Sequence, residues 1–189
     1  MKIVLGLTGF DCSGKTIVGE YLTSSKKFTH ISISDIIREE VVKRGLIPTR
    51  EVLMDVGNDM REKEGTDVLM KRACQKIDKE ISDKIVIESI RNPGEVEHFR
   101  KMKHGFYLIG VVASPRVRFT RMKQRGKLGD PKTWKDFLEI EARDNGIGEK
   151  KTGQQIKECM KLTDFRVLNN GPKENTFVLI DSILGKIAK

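Results

Sequence analysis

Short apolar segments alternate with longer amphipathic segments along this chain. The apolar segments are rich in Ile and Val and are bounded by Gly or Pro, which is typical of buried strands in a parallel sheet. Five of them are candidate strands: Ile3–Leu7, His30–Ile33, Lys84–Glu88, Phe106–Ala113 and Phe165–Leu168. The alternation predicts an α/β fold in three layers, with helices on both faces of a five-stranded parallel sheet.

Capping residues divide the amphipathic segments into helices. Either Ser34 or Asp35 can cap a helix that runs to Arg44. Thr49 can cap another helix from Arg50 to about Glu64. Further helices are expected from Thr66 onwards and over Glu95–Lys103, Pro115–Arg125, Asp130–Asp144, Thr152–Leu162 and Glu174–Ile187.

Two charged helical stretches interrupt the alternation, Leu46–Ser82 after the second strand and Gly126–Cys159 after the fourth. We expect mobile, substrate-closing segments there: an acceptor-binding insertion at about residues 35–82 and a lid-like insertion at about 126–159. Repeats and low-complexity linkers are absent from the sequence. The 189 residues are therefore predicted to form one domain.

Composition narrows the class of ligand. The longest apolar run has eight residues and no secretory signal is visible, so a membrane span is not expected. Three separated cysteines argue against disulfides or a zinc cluster and favour a cytoplasmic location. The net charge of +9 is compatible with nucleic acid, membrane surfaces or anionic small molecules. Because only 6% of residues are aromatic, polyphosphate ligands are favoured over nucleic acid, with an ordinary basic surface as the alternative.

The segment between the first strand and the next helix fits G-x-x-x-x-G-K-[ST]. It reads Gly9-Phe10-Asp11-Cys12-Ser13-Gly14-Lys15-Thr16. Gly9 and Gly14 permit a turn that points successive N–H groups inward, and the helix adds its positive N-terminal end. Lys15 is expected to reach the β- and γ-phosphates, and Thr16 to coordinate Mg²⁺. The pattern therefore predicts an ATP·Mg²⁺ site formed by residues 9–16.

Glu88 ends the third candidate strand, where P-loop enzymes usually carry an Asp that holds the metal. Its side chain is one methylene longer. We predict that Glu88 assists Thr16 in binding Mg²⁺, the alternative being a charge on the following turn.

The chain resembles the nucleoside monophosphate kinase group and the related dephospho-CoA kinases from the P-loop nearly to the C-terminus. The stretch 30–38 matches the pattern of strand, Ser/Thr-containing turn, Asp and Arg, which assigns Asp35 and Arg38 to the acceptor phosphate. Arg91, after the third strand, matches a second acceptor-binding Arg. Two guanidinium groups can together hold one phosphate monoester. The alternative is that both arginines are solvated surface charges.

The resemblance extends to the lid and to the donor base. The stretch 113–125 is similar to the helix that enters the lid in these kinases, so Arg118, Arg121 or Arg125 is expected to neutralise the transferring phosphoryl group, with Arg143 further along the lid-like segment. The end of the chain resembles the Asp, strand, Asn, Gly pattern beside the donor adenine. It offers these donor-base candidates, although a plain turn explains the same letters: Asn169, Asn170 and Gly171.

A narrower resemblance links residues 87–97, 130–134 and 153–155 to the kinase-like domain associated with deoxycytidylate deaminases and to its free-standing relatives. The deaminase zinc signature itself is missing from the sequence. The implied activity is transfer of the γ-phosphoryl of ATP·Mg²⁺ to a (deoxy)nucleoside monophosphate by a monomer or homodimer.

Three other functions stay open. A dephospho-CoA kinase would use Asp35 as the base for a hydroxyl acceptor, whereas in a nucleoside monophosphate kinase this residue could simply cap its helix. The sequences of the acceptor loop and the lid also differ from the motifs of adenylate kinases, so AMP is not assigned as the acceptor. A nucleotide-sensing domain or a nucleic-acid-associated ATPase completes the alternatives.

Overall fold

A computed structural model describes residues 2–102, 105–127 and 129–188 of the protein. The five strands in these ranges are β1 (Ile3–Thr8), β2 (Thr29–Ser32), β3 (Lys84–Ile90), β4 (Gly105–Val112) and β5 (Phe165–Leu168). All their pairs are parallel, and the order across the sheet is β2-β3-β1-β4-β5. The predicted α/β fold with a five-stranded parallel sheet is thereby confirmed.

Helices cover both faces of the sheet because alternate strand residues point to opposite sides. The helices are α1 (Lys15–Lys26), α2 (Ile33–Lys43), α3 (Arg50–Glu64), α4 (Val68–Ile77), α5 (Pro93–Arg100), α6 (Pro115–Arg125), α7 (Trp134–Asp144), α8 (Ile156–Lys161) and α9 (Lys173–Ile187). Val4 and Ile85 pack in a core with α2, α3, α4, α5 and α8, whereas Leu5 and Val86 pack in a second core with α1 and α9. Within the described ranges, none of these helices has the length and apolar character needed to cross a bilayer.

The cap of α2 differs from the prediction. Ser32, and neither Ser34 nor Asp35, is the N-cap, and its Oγ accepts a hydrogen bond from the backbone N–H of Asp35 at 3.2 Å. The expectation that Asp35 caps its helix is therefore wrong. The carboxylate of Asp35 lies in the first turn of α2, where its negative charge interacts favourably with the positive end of the helix dipole.

Other helix starts also shift. The α4 helix begins at Val68, two residues after Thr66, and α7 begins at Trp134 because Thr133 and Asp136 form a capping box. The α8 helix is shorter than the predicted Thr152–Leu162. The α5 helix starts earlier than predicted, at Pro93, and the predicted end at Lys103 lies outside the described residues.

A β-bulge separates Glu88 from the end of β3. Leu7 pairs with Glu88 but Thr8 pairs with Ile90, and the extra residue, Ser89, has φ of 74°. Bulges of this kind re-aim side chains next to functional sites. Glu88 therefore lies inside the strand rather than at its end.

Candidate functional site

The loop from Gly9 to Thr16 joins β1 to α1 at the carboxyl edge of the sheet. Gly9 has φ of 142° and Gly14 has φ of 103°. A Cβ at Gly9 would come within 2.3 Å of the carbonyl oxygen of Val111, and one at Gly14 within 2.0 Å of Nδ2 of Asn169. Both positions thus require glycine for backbone conformation and for space.

Lys15 is buried and folds back over the loop. Its Nζ donates hydrogen bonds to the carbonyl oxygens of Gly9 at 2.8 Å and Phe10 at 2.9 Å. Burial, and secondly the charge of Arg91, lower the pKa of Lys15 to about 8. The α1 helix starts without a side-chain cap, so its first N–H groups are suited to binding an anion.

Residues behind the loop hold its backbone. Asn169 is buried and donates through Nδ2 to the carbonyl oxygen of Ser13 at 2.8 Å. Arg121 donates to the carbonyl oxygens of Cys12 at 3.3 Å and Asn169 at 3.0 Å. Cys12 itself has a left-handed φ of 56°. The structure therefore places Arg121 and Asn169 against the loop, with contacts that stabilise its shape.

The other two residues assigned to the donor base are more exposed. Asn170 accepts a hydrogen bond through Oδ1 from the backbone N–H of Ser114 at 2.7 Å. Gly171 is exposed just before α9. Contact of either residue with adenine stays a prediction.

Thr16 and Glu88 meet on the opposite side of the loop. The hydroxyl of Thr16 donates to Oε1 of Glu88 at 2.7 Å, and Nε2 of His30 donates to Oε2 at 3.0 Å. Burial alone would raise the pKa of Glu88, but these hydrogen bonds and the charge of Lys15 outweigh burial and lower it. Glu88 is therefore an anion at neutral pH.

This pair fits Mg²⁺. The donor set is a hydroxyl and a carboxylate, both hard oxygen ligands, and Mg²⁺ in such sites takes its other ligands from water and phosphate. The described residues contain no group of three or more His, Cys, Asp or Glu that could hold a metal by themselves. Thr16 and Glu88 could consequently hold Mg²⁺ only together with a bound phosphate.

Cationic side chains from different elements surround Asp11 in the loop. Arg50, the first residue of α3, pairs with the carboxylate, and Nη2 of Arg125 lies 3.1 Å from Oδ2 of Asp11. Burial would raise the pKa of Asp11, but the charges of Arg50, Lys15, Arg91 and Arg125 hold it well below its usual range. Two arginines therefore pair with Asp11 directly, and two further cations act on it electrostatically, beside the predicted phosphate-binding loop.

Asp144, at the end of α7, lies beside this cluster and is 2% exposed. Its Oδ2 accepts a hydrogen bond from Nη2 of Arg50 at 3.0 Å, and its Oδ1 lies 3.9 Å from Nη1 of Arg91. Arg91 also donates to Oε1 of Gln154 at 2.8 Å. The predicted lid and acceptor-binding stretches thus meet over the P-loop through Arg50 and Asp144.

A buried ion pair supports the loop that carries Arg91. Oε1 of Glu95 accepts hydrogen bonds from Nε and Nη2 of Arg61 at 2.9 and 2.8 Å. Oε2 accepts from the backbone N–H groups of Arg91 at 2.8 Å and Asn92 at 3.1 Å. Since both side chains are almost completely buried, the pair fixes where the loop after β3 begins.

The remaining predicted residues pair with groups other than Asp11. Asp35 and Arg38 form an exposed ion pair with each other. Arg118 is buried, pairs with Glu141, and stacks over the ring of Phe10 with its guanidinium carbon 4.8 Å from the ring centroid.

Arg143 binds two carboxylates, those of Asp55 at 2.6 Å and Glu149 at 2.5 Å. Its pKa is raised, chiefly by the hydrogen bond to Glu149. The phosphate-binding roles assigned to Arg38, Arg118 and Arg143 stay predictions.

Sequence analysis did not identify Arg50, Asp144 or His30. Arg50 begins a helix and Asp144 ends one, so each charge opposes the dipole of its own helix. A charge at the unfavourable end of a predicted helix can be recognised in the sequence, and it indicates that another ionic interaction compensates the helix dipole. The His30 contact with Glu88 depends on strand register, which the sequence does not display.

The family described as an AAA domain (AAA_18) matches residues 5–145 of the chain. A UPF0200 protein of Thermococcus kodakarensis is 32% identical, with 98% of this chain and 100% of that protein covered. A UPF0200 protein of Pyrococcus horikoshii is 33% identical, with 98% and 97% covered. A UPF0200/UPF0201 protein of Archaeoglobus fulgidus is also 33% identical, and this chain spans 56% of its length.

Solved structures share the fold at low sequence identity. Shikimate kinase from Bacteroides thetaiotaomicron gives a TM-score of 0.61 at 11% identity, with 99% of each chain covered. Shikimate kinase from Acinetobacter baumannii, in complex with shikimate, gives 0.60 at 12% identity, with 100% of this chain and 96% of that chain covered. The protein has a P-loop kinase-like fold and belongs to the UPF0200 family and to the family described as an AAA domain.

Proposed function

We propose that the protein is an ATP-dependent phosphotransferase that moves the γ-phosphoryl group of ATP·Mg²⁺ to a (deoxy)nucleoside monophosphate. The observation that carries the proposal is the cluster of cationic groups at Asp11: Arg50 and Arg125 pair with its carboxylate, and the charges of Lys15 and Arg91 also lower its pKa. The loop, Lys15 and the helix N-terminus are sufficient to bind one triphosphate. Arginines arriving from two further elements, Arg50 on α3 and Arg91 after β3, suit a second phosphate-bearing ligand.

Different residues bind the donor phosphates, the metal and the acceptor. The backbone of residues 9–16 and Lys15 bind the donor phosphates, while Thr16 and Glu88 bind the metal. Bound Mg²⁺ supplies neutralisation of charge on the β- and γ-phosphates. Arg91 and Arg125 orient the two phosphate groups in line, and catalysis is mainly positioning and charge stabilisation.

Asp35 bears on the choice between acceptors. A hydroxyl acceptor such as dephospho-CoA requires a carboxylate to take its proton, whereas the phosphate of a monophosphate is already an anion. The carboxylate of Asp35 is exposed and paired with Arg38 rather than with any group of the Asp11 cluster. This arrangement favours the nucleoside monophosphate, and the resemblance to the kinase-like domain associated with deoxycytidylate deaminases favours a deoxynucleotide.

A panel of acceptors tests the proposal. The protein is incubated with ATP, Mg²⁺ and each of the ribo- and deoxyribonucleoside monophosphates, dephospho-CoA or shikimate, and products are read by mass. We expect a nucleoside diphosphate from at least one monophosphate, lost in Lys15→Ala and retained in Lys26→Ala, which removes a partly exposed lysine at the other end of the same helix. Tight ATP binding without a product from any acceptor would overturn the proposal in favour of a nucleotide-sensing domain.

A further inference from the structure

A cavity of about 470 Å³ lies between the start of α3 and α7. Its lining combines two apolar side chains, Met54 and Ile140, with four polar or charged ones: Thr49, Arg50, Glu51 and Arg143. A space of this size that has both an apolar wall and groups able to bind an anion could hold a small molecule with an anionic group.

Arg50 connects this cavity to the phosphate loop. The residue lines the cavity, yet its guanidinium pairs with Asp11 inside the loop. A ligand in the cavity with an anionic group at the guanidinium would therefore place that group beside the donor phosphates.

The surroundings of Arg50 hold polar atoms without partners. In the part of the chain that the structure describes, four buried side-chain atoms lack a hydrogen-bond partner: Ser13 Oγ, Arg50 Nε, Asp144 Oδ1 and Asn145 Oδ1. One lies in the loop and the other three where the start of α3 meets the end of α7. Buried polar groups are normally paired, so these atoms are free to hydrogen-bond a ligand or water at this junction.

The present partners of Arg50 are carboxylates of the protein itself. Arg50 carries a charge at the unfavourable end of its helix, and Asp11 and Asp144 compensate it. A guanidinium holds a phosphate monoester with the same fork geometry and more acceptor oxygens, and Nε–H of Arg50 adds a donor that no described residue uses. A phosphate monoester at the guanidinium would give Nε–H an acceptor, while Asp11 would keep its ion pair with Arg125.

We propose that this cavity binds the nucleoside part of the acceptor monophosphate and that Arg50, rather than Arg38, binds its phosphate. The inference rests on the proposed function and names the acceptor site within it. The base lies against Met54 and Ile140, with Glu51 and Thr49 available to its polar edge. Asp144 keeps its hydrogen bond to Nη2 and orients the guanidinium toward the donor.

Equilibrium binding tests the proposal without turnover. Each nucleoside monophosphate is titrated calorimetrically into protein saturated with AMP-PNP·Mg²⁺, and the best binder is carried through Arg50→Ala, Arg50→Lys and Arg38→Ala. Loss of charge-assisted hydrogen bonds predicts a Kd about 10- to 100-fold higher for Arg50→Ala and an intermediate loss for Arg50→Lys. Arg38→Ala, which tests the acceptor role that the resemblance assigned to Arg38, should change Kd by less than about threefold, and AMP-PNP affinity should be retained in all three.

A second variant separates the cavity from the charge. Ile140→Trp fills the space without removing an arginine, so it should weaken monophosphate binding at least about tenfold while inorganic phosphate binds as in the wild type. Thermal melts confirm that each variant is folded. Unchanged monophosphate affinity in both Arg50→Ala and Ile140→Trp would overturn the acceptor site and leave the proposed function standing. Absence of monophosphate binding to the wild type itself would remove both.

Discussion

Replacement of Arg61 by Met tests whether the buried ion pair with Glu95 stabilises the protein and the loop after β3. Arg61 is 1% exposed and its partner Glu95 is 0% exposed, so the substitution leaves a buried carboxylate without its counter-charge. Breaking such a pair from one side costs about 3–5 kcal/mol. Glu95 keeps the two backbone donors of Arg91 and Asn92, which places the expected loss near the lower end, at about 3 kcal/mol.

This loss is measured by urea and thermal unfolding followed by circular dichroism. For a chain of this length, about 3 kcal/mol corresponds to a Tm decrease of about 6–12 °C. The double variant Arg61→Met/Glu95→Gln removes the buried charge and should recover part of the loss. Lys63→Met, on the same helix with a side chain 68% exposed, is the matched control and should change stability by less than about 0.5 kcal/mol. A free energy of unfolding for Arg61→Met equal to that of Lys63→Met would refute the structural role of the pair.

Three further predictions concern the phosphate loop. Because burial and then Arg91 lower the pKa of Lys15 to about 8, and phosphate binds the protonated amine, affinity for an ATP analogue should fall by up to about tenfold per pH unit above pH 8. Arg91→Gln should move that fall to higher pH, and an unmoved midpoint in binding titrations would contradict the assignment. Asn169→Ala leaves the buried carbonyl of Ser13 without its donor, so unfolding titrations should show a loss of about 1–3 kcal/mol. Glu88→Gln should raise the Mg²⁺ concentration needed for ATP-analogue binding while metal-free ADP binds nearly as before; equal losses in both would exclude Glu88 from the metal site.

The parts of the site that sequence predicted are those formed by consecutive residues. The P-loop is a single run from Gly9 to Thr16, and Thr49 caps α3 as its position before Arg50 indicates. The strands could be predicted because each is also formed by consecutive residues: five short apolar runs between amphipathic segments correspond to the five strands of the sheet.

The parts that sequence missed depend on contacts between distant residues. Arg50 and Asp144 are separated by 94 positions, and only the tertiary fold brings the start of α3 to the end of α7. Arg118 matched a lid arginine by position, but its side chain is buried against Glu141, because helix packing rather than sequence decides which face of α6 is covered. The bulge at Ser89, which displaces Glu88 from the strand end, likewise arises from pairing with β1.

The central claim is that main-chain amides at the start of α1 bind a Mg²⁺-bound nucleoside triphosphate. It is tested most directly by following backbone amide resonances of the isotope-labelled protein as AMP-PNP·Mg²⁺ is added. The account predicts that the largest shifts occur at the amides of residues 12–16 and that Lys15→Ala needs far more nucleotide to show them. Saturable shifts confined to other parts of the chain, with residues 12–16 unchanged, would contradict it.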